Sequence, residues 1–254
     1  MNHSVNIFGV QICPLTFDEA ADTVIGLIVD GKRGHFVVTP NVNHLVLFQD
    51  DADFRSAYGK ASLVLPDGRY IILVSKLLGR PLPETVNGSD LVPAIMDRFE
   101  SSGRLTVFLL GAMPGIAEEA AANIESRWRN VRVVGTYSPP VGFENDPEEN
   151  RWIIDRVNEV SPDLLVVGVT PPRQEIWVSR HAPELDASVS ICAGATIDFL
   201  AGAKPRAPRW MQRSGMEWIF RALSEPRRLI PRYFRDGRAL LRLLYYEAKS
   251  GRRS

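Results

Sequence analysis

Cysteine is scarce. Cys13 and Cys192 are the only two in 254 residues. They are far apart and lack the short spacing of a metal-ligand pair, so neither a disulfide framework nor a cysteine metal site is expected, and a reducing cytoplasm is the default setting. The four histidines, His3, His35, His44 and His181, show no ligand spacing, and no metal is expected. Long apolar runs are missing as well. "LLVVGV" (164–169) and "YIILV" (70–74) suit buried strands or helix faces and fall short of the ~20 residues of a membrane span. The opening "MNHSVNIFGVQICPLTFDEA" turns polar too early for a secretory leader. Neither GxGxxG nor GxxxxGKS/T is present, which removes the standard dinucleotide fingerprint and the P-loop.

The charges balance, thirty Lys and Arg against thirty Asp and Glu, but they are not evenly mixed. Residues 204–254 carry fourteen basic side chains against four acidic ones, and residues 1–203 carry sixteen against twenty-six. That asymmetry directs the C-terminal stretch toward an anionic surface or partner. The 45% apolar and 24% charged content is ordinary for a globular chain.

Apolar β-rich runs alternate with helix-like segments. "HFVVTP" (35–40), "SLVLPDG" (62–68), "LTVFLLG" (105–111), "VRVVGTY", "DLLVVGVTPP" and "SVSICAG" read as strands. Between them "NHLVLFQDDADFRSAYGKA", "RYIILVSKLLG", "GSDLVPAIMDRFESSG" with Ser89 or Asp90 as N-cap, "GIAEEAAANIESRWR", "PEENRWIIDRVNEVSP" and "RQEIWVSRHAPEL" read as helices. Runs buried on both faces predict an α/β fold: a Rossmann-like, mainly parallel sheet covered by helices. The rhythm ends at "GAKPRAPRWMQ". A boundary near Ala203 divides a 1–203 core from a basic 204–254 appendage of two or three helices.

Open α/β sheets bind ligands beyond the carboxyl ends of their strands. That rule selects Thr39, Asn41, Asp67, Gly111 to Gly115, Tyr137, Gln174 and Asp198. The glycines of "LLGAMPG" either leave backbone N–H groups for a phosphate or simply pack helix on strand. Asp67, in "PDG", either faces a cleft as a general base or bonds its own turn backbone. Glu175, in the first turn after "TPPR", suits helix initiation, and "DAD" at 51–53 reads as a solvated cluster within a helix.

Taken in order, "TPNVNHLV", "PDG", "NGSDL", "LLGAMPG", "GTYSPPVGF", "PDLLVVGVTPPRQEIW", "GATIDFLAGAKPRAPRWMQRSGMEW" and "EPRRLIPRYF" resemble the WecG/TagA/CpsF family of bacterial glycosyltransferases, glycosyltransferase family 26. The likeness runs from about Val5 to Tyr246. It implies inverting, metal-independent transfer from a UDP-sugar to a polyprenyl-diphosphate-linked saccharide at the inner membrane face, with no cofactor, in surface-polysaccharide synthesis. By position it places the general base on Asp67 and active-site polar groups on Thr39 and Asn41. It puts nucleotide-sugar contacts on Gly111, Gly115, Tyr137, Gln174 and Asp198. The tail resembles a membrane-targeting appendage whose Arg221, Arg228 and Arg232 meet the diphosphate. In "ETVNGSDL", Thr85 stands where family members commonly carry arginine, which leaves the holding of that anionic group to other residues.

The tail's aromatics Trp210, Trp218, Phe220, Tyr233, Phe234, Tyr245 and Tyr246 suit a lipid boundary, and Leu240, Leu241, Leu243 and Leu244 with Arg238 and Arg242 suit an amphipathic surface helix. The alternative is a helical appendage packed on its own domain or on another subunit, its arginines paired with the acidic body. Two other classes compete: a Rossmann-like oxidoreductase or epimerase, and a non-catalytic membrane adaptor. No nucleic-acid module is recognisable; a homo-oligomer remains open.

Overall fold

The computed structural model describes residues 4–208, 210–211 and 216–250. The segment before His35, which the strand–helix rhythm left unassigned, opens with an antiparallel hairpin of β1 (Val5–Ile7) and β2 (Val10–Ile12). Helix α1 (Phe17–Val29) follows. It starts at Thr16, whose hydroxyl accepts from the Glu19 N–H while the Glu19 carboxylate accepts from the Thr16 N–H, and buries Ala20, Ala21, Val24 and Ile28. This reciprocal capping satisfies donors that a helix start leaves open.

The main sheet has six strands in the order β4-β3-β8-β7-β5-β6. These are β3 (His35–Val38), β4 (Leu63–Val64), β5 (Leu105–Gly111), β6 (Val131–Tyr137), β7 (Leu164–Gly168) and β8 (Val189–Cys192), and every pairing is parallel. The expected parallel α/β architecture is what forms. Each central strand feeds two cores. Leu105, Val107 and Leu109 of β5, with Leu164 and Val166 of β7, join one; Phe108, Leu110, Leu165 and Val167 join the other. A strand buried on both faces needs apolar residues at every position, which is why these runs are continuous rather than alternating.

Some expected boundaries shift. The single helix predicted across "NHLVLFQDDADFRSAYGKA" is two, α2 (Val42–Asp50) and α3 (Ala52–Lys60). Asp51 lies between them, extended, with its side chain accepting from the Phe54 N–H at 2.9 Å. A short carboxylate that caps the next helix outcompetes helix continuation at that point. The predicted strand at 62–68 shrinks to two regular residues, flanked by single bonds from the Ser62, Leu65 and Asp67 N–H groups to Phe36, Val38 and Pro40 O; Pro66 falls between two donors on this edge strand, where no N–H is needed. Helix α4 (Arg69–Leu77) stops short of Gly79 as expected. Helix α5 (Gly88–Ser102) starts after Asn87, two or three residues earlier than a cap at Ser89 or Asp90 would place it. A Cβ on Gly88 would lie 3.3 Å from the Ala193 Cα, so glycine lets α5 begin hard against the end of β8.

Helices α6 (Ile116–Arg127), α7 (Pro147–Val160), α8 (Arg173–His181) and α9 (Thr196–Ala201) complete the cover, and α10 (Glu217–Ser224) and α11 (Pro226–Ser250) form the tail. The tail packs on the body. Leu240, Leu243 and Leu244 of α11 lie against the core that contains Leu45 and Val74. Only Leu241 of the expected leucine set is strongly exposed. Asp236, 4% exposed, accepts from Asn43 Nδ2 of α2 at 3.3 Å and pairs with Arg232 and Arg235 at 3.5 and 3.4 Å. Arg80 meets Glu247 at 3.1 Å. Among the described residues, no helix is long and apolar enough to cross a membrane.

Candidate active site

The sheet order sets which strand ends meet. β4, β3 and β8 are neighbours, so Asp67, then Thr39 and Asn41, then Ala193 and Gly194 line one corner of the carboxyl edge. The Asp67 N–H donates to Pro40 O at 2.9 Å, and the adjacent Gly68 N–H donates to Asn87 Oδ1 at 3.0 Å. With that turn pinned from outside, the Asp67 carboxylate accepts from the Asn41 side chain instead. Asn41 Oδ1 meanwhile accepts from the Asn43 N–H at 3.0 Å as the cap of α2, so its amide nitrogen is the end that reaches Asp67. Burial pushes Asp67 up to about 7 from 3.8; Arg221 pulls it down, Glu217 and Asp90 push it up, and the Asn41 bond lowers it. Arg221 and Glu217 both belong to α10, so the tail helix brings charges of both signs close to this carboxylate.

Thr39, buried, points its hydroxyl toward Cys192 O at 3.5 Å. Gln174, 2% exposed, ties the start of α8 to the turn after β8: its Nε2 donates to Glu175 Oε1 at 2.7 Å and its Oε1 accepts from the Gly194 N–H at 3.2 Å. Glu175 is more than a helix starter. It is 0% exposed, its Oε2 has no hydrogen-bond partner among the described residues, and burial raises it to about 7, against the lowering bond from Gln174. Beneath this corner the Tyr58 hydroxyl, pushed well up by burial and then by Glu175, Cys192 and Asp67, meets His44 Nδ1 at 2.7 Å. His44 is driven down to about 3, by burial first and by Arg232 second. The floor of the corner is thus a buried neutral imidazole–phenol pair.

Other expected residues stand apart. Gly111, at φ +125°, leaves out a Cβ that would sit 2.5 Å from Gly168 O, so its smallness serves the contact between β5 and β7. Gly115, left-handed at φ +86°, starts α6 with open space beside it. Tyr137 ends the far edge strand, five places from β4 in the sheet, roughly 24 Å at the usual strand spacing. Its hydroxyl donates to Glu149 at 2.5 Å, its ring meets Trp152 at 4.4 Å, and burial followed by Glu149 pushes it up to about 12. Asp198 pairs with Lys204 at 3.3 Å, and Lys204 also lies 3.8 Å from Glu225, linking α9 to the tail.

Of the tail arginines, Arg221 faces Asp67 electrostatically and Arg228 pairs with Glu225 at 2.6 Å. Arg232 is partly buried, its Nε lies 3.5 Å from Asp236 and makes no hydrogen bond among the described residues, and burial lowers it before Asp236 raises it. Sequence reasoning missed Arg206. Its guanidinium reaches Asp90 at 2.5 Å and Ser89 at 3.3 Å, in the same block as Thr85. Asp90 in turn accepts from Asn87 Nδ2 at 3.3 Å, and Asn87 holds the Gly68 N–H. A chain of polar contacts therefore runs from the tail joint to the turn that carries Asp67. The visible signal was the basic "KPRAP" joint beside the acidic end of "NGSD", but nothing local pairs residues so distant in sequence.

The fold and site together define a parallel α/β sheet with a carboxyl raised to about 7 at one corner of its carboxyl edge, faced by Arg221 of the tail. The chain matches the glycosyl transferase WecG/TagA/CpsF family over residues 5–254 and belongs to it; it is a glycosyltransferase. It is 27% identical over 210 residues to an N-acetylglucosaminyldiphosphoundecaprenol N-acetyl-beta-D-mannosaminyltransferase of Bacillus spizizenii, covering 81% of this chain and 79% of that one. A Staphylococcus aureus protein of the same name is 26% identical over 229 residues, covering 89% and 86%.

Proposed function

We propose that this enzyme moves a sugar from a UDP-sugar to a polyprenyl-diphosphate-linked saccharide by a single inverting displacement without a metal, at the inner face of the cell membrane. The observation that carries the reading is Asp67. A carboxyl poised about 7, at a strand's carboxyl end, bonded by Asn41 and facing Arg221, is matched to taking a proton from an acceptor hydroxyl near neutral pH. The acceptor oxygen attacks the anomeric carbon as its proton passes to Asp67, and the bond to the UDP oxygen breaks on the opposite face. Negative charge then gathers on the leaving diphosphate. Arg221 and Arg228, with Arg232 behind them, are the cations assigned to it.

Thr39 and Asn41 position the acceptor and the base. Gln174 and Glu175 hold the Gly194 turn beneath the sugar, and Asp198 reads the base of the nucleotide. Gly111, Gly115 and Tyr137 flank the more distant end of the donor path. The core of residues 1–203 carries donor chemistry, and residues 204–254 bring the membrane and the diphosphate to it. The relatives' names make N-acetylglucosaminyl-diphospho-polyprenol the first acceptor and N-acetylmannosamine the first sugar to test.

The test is a panel of UDP-sugars offered with and without that acceptor, with UDP release as the readout. One donor should be used, and only when acceptor is present. Asp67→Asn should lower turnover roughly 10²–10⁴-fold; an undiminished rate would remove Asp67 from the mechanism.

A further inference from the structure

Helix α4 is apolar on two sides. Ile71, Val74 and Ser75 face the core, while Tyr70, Leu73 and Leu77, at the i, i+3, i+7 spacing of one helix face, are exposed, Leu77 to 65%. A single exposed leucine is ordinary, but three large apolar side chains along nine residues form a strip that water covers unfavourably. The charges on the helix and its flanks, residues 68–83, have one sign. Arg69, Lys76 and Arg80 are exposed, and no Asp or Glu occurs between Asp67 and Glu84, in a core that elsewhere carries acidic excess.

Two further facts locate this strip. Its helix begins after Gly68, so it starts immediately beyond Asp67. At its other end, the Arg80–Glu247 pair brings in the end of α11. α11 has an exposed strip of its own: Ile230, Phe234, Leu241 and Tyr245, Phe234 to 73%. At about 100° per residue these four fall within one sector of roughly 60°.

We propose that α4 is a second lipid-facing element, in which Tyr70, Leu73 and Leu77 enter the interface of an anionic bilayer while Arg69 and Lys76 meet its headgroups. This deepens the membrane-surface reading of the tail and rests on it. Charge selects the occupant. A second copy docked through the same strip would set Arg69 and Lys76 against their own equivalents across a two-fold axis, whereas an anionic leaflet neutralises them. Chemistry agrees, because a lipid-linked acceptor must bring its sugar to Asp67 while its hydrocarbon stays in lipid. A lipid-facing helix that starts beside the base shortens that path.

The experiment is co-sedimentation of the full chain with vesicles of phosphatidylglycerol and phosphatidylethanolamine, and with phosphatidylcholine vesicles, without any sugar donor. Wild-type protein should bind the anionic vesicles. Leu73→Glu/Leu77→Glu should weaken that binding roughly tenfold or more, Arg69→Gln/Lys76→Gln should weaken it several-fold, and Leu73→Phe/Leu77→Phe should preserve it. Circular dichroism checks folding; if the glutamates unfold the chain, the Arg69→Gln/Lys76→Gln pair carries the same test. Folded variants that bind like wild type would overturn the proposal. So would a wild-type dimer in lipid-free buffer that the glutamates turn into monomer, since the strip would then belong to a second copy. Vesicle binding is read without turnover, so failure of the sugar-transfer reading would leave this result intact, and the reverse.

Discussion

At the scale of single residues, two carboxyls sit where carboxyls ordinarily would not be protonated. Asp67 must be ionised to accept a proton, so kcat/KM should rise with pH through about 7. The neighbours set the direction of further shifts. Arg221 favours the charged form, so Arg221→Gln should move the rising limb to higher pH; Glu217 disfavours it, so Glu217→Gln should move the limb lower. Rate profiles of the two variants against pH check both signs. Glu175 shapes stability instead. Its folded value of about 7 exceeds its ordinary 4.5, and Asp67's exceeds 3.8, so the native state holds protons that the unfolded chain releases. Their stabilisation is complete below about pH 4 and is lost as pH rises toward 7. His44, held neutral at about 3 against 6.5, works the other way and costs stability as pH falls below about 6.5. Two falling contributions outweigh one rising one, so denaturant stability should decline between about pH 4.5 and 6.5. Glu175→Gln should flatten that decline.

Among the elements, α11 is held to α2 through Asp236. That carboxylate satisfies Asn43 and offsets Arg232, which is 28% exposed. Removing one member of a buried pair strands the other, at about 3–5 kcal/mol for full burial. Asp236→Ala should cost toward the lower end of that range, because Arg232 keeps some water. Urea unfolding would measure the loss, and limited proteolysis near residues 204–211 should speed up as the tail loosens. Asn43→Ala should cost less, since it removes a neutral donor whose acceptor keeps its two arginines. Capping also explains where helices start. Asp51 divides a predicted continuous helix in this way; Asn87, by contrast, makes no side-chain cap bond to α5, its side chain being committed to Gly68 and Asp90.

For the whole molecule, the charge division has a geometric outcome. The basic tail folds back on the acidic body through Arg206–Asp90 and Lys204–Asp198, with Arg80–Glu247 a pair of opposite polarity, and it also sets Arg221 and Glu217 beside Asp67. A chain ending at Gly202 should therefore lose transfer to a lipid-linked acceptor by orders of magnitude, and any residual rate should show a changed pH limb. Transfer assays with vesicle-borne acceptor would read both.

Strand identity, the two-faced cores and the carboxyl-edge rule were legible in the sequence because they depend on local apolar content and a fixed strand–helix alternation. β5, expected and found at 105–111, is the clearest case. Asp67, Thr39, Asn41 and Gln174 were legible too, since each follows directly on a strand or its connecting loop. Strand order was not, and it is what sets Asp67 near Thr39 and Gly194 while leaving Tyr137 at the opposite edge with Glu149. The same limit hid Arg206 and the burial of Glu175. Pairing energies between side chains more than a hundred positions apart, and the desolvation of a carboxyl under two helices, exist only once the chain has closed on itself. The sequence therefore determined which groups stand at the strand ends; the tertiary structure decided which of them share one electrostatic environment, because burial and distance rather than order along the chain govern a proton's affinity.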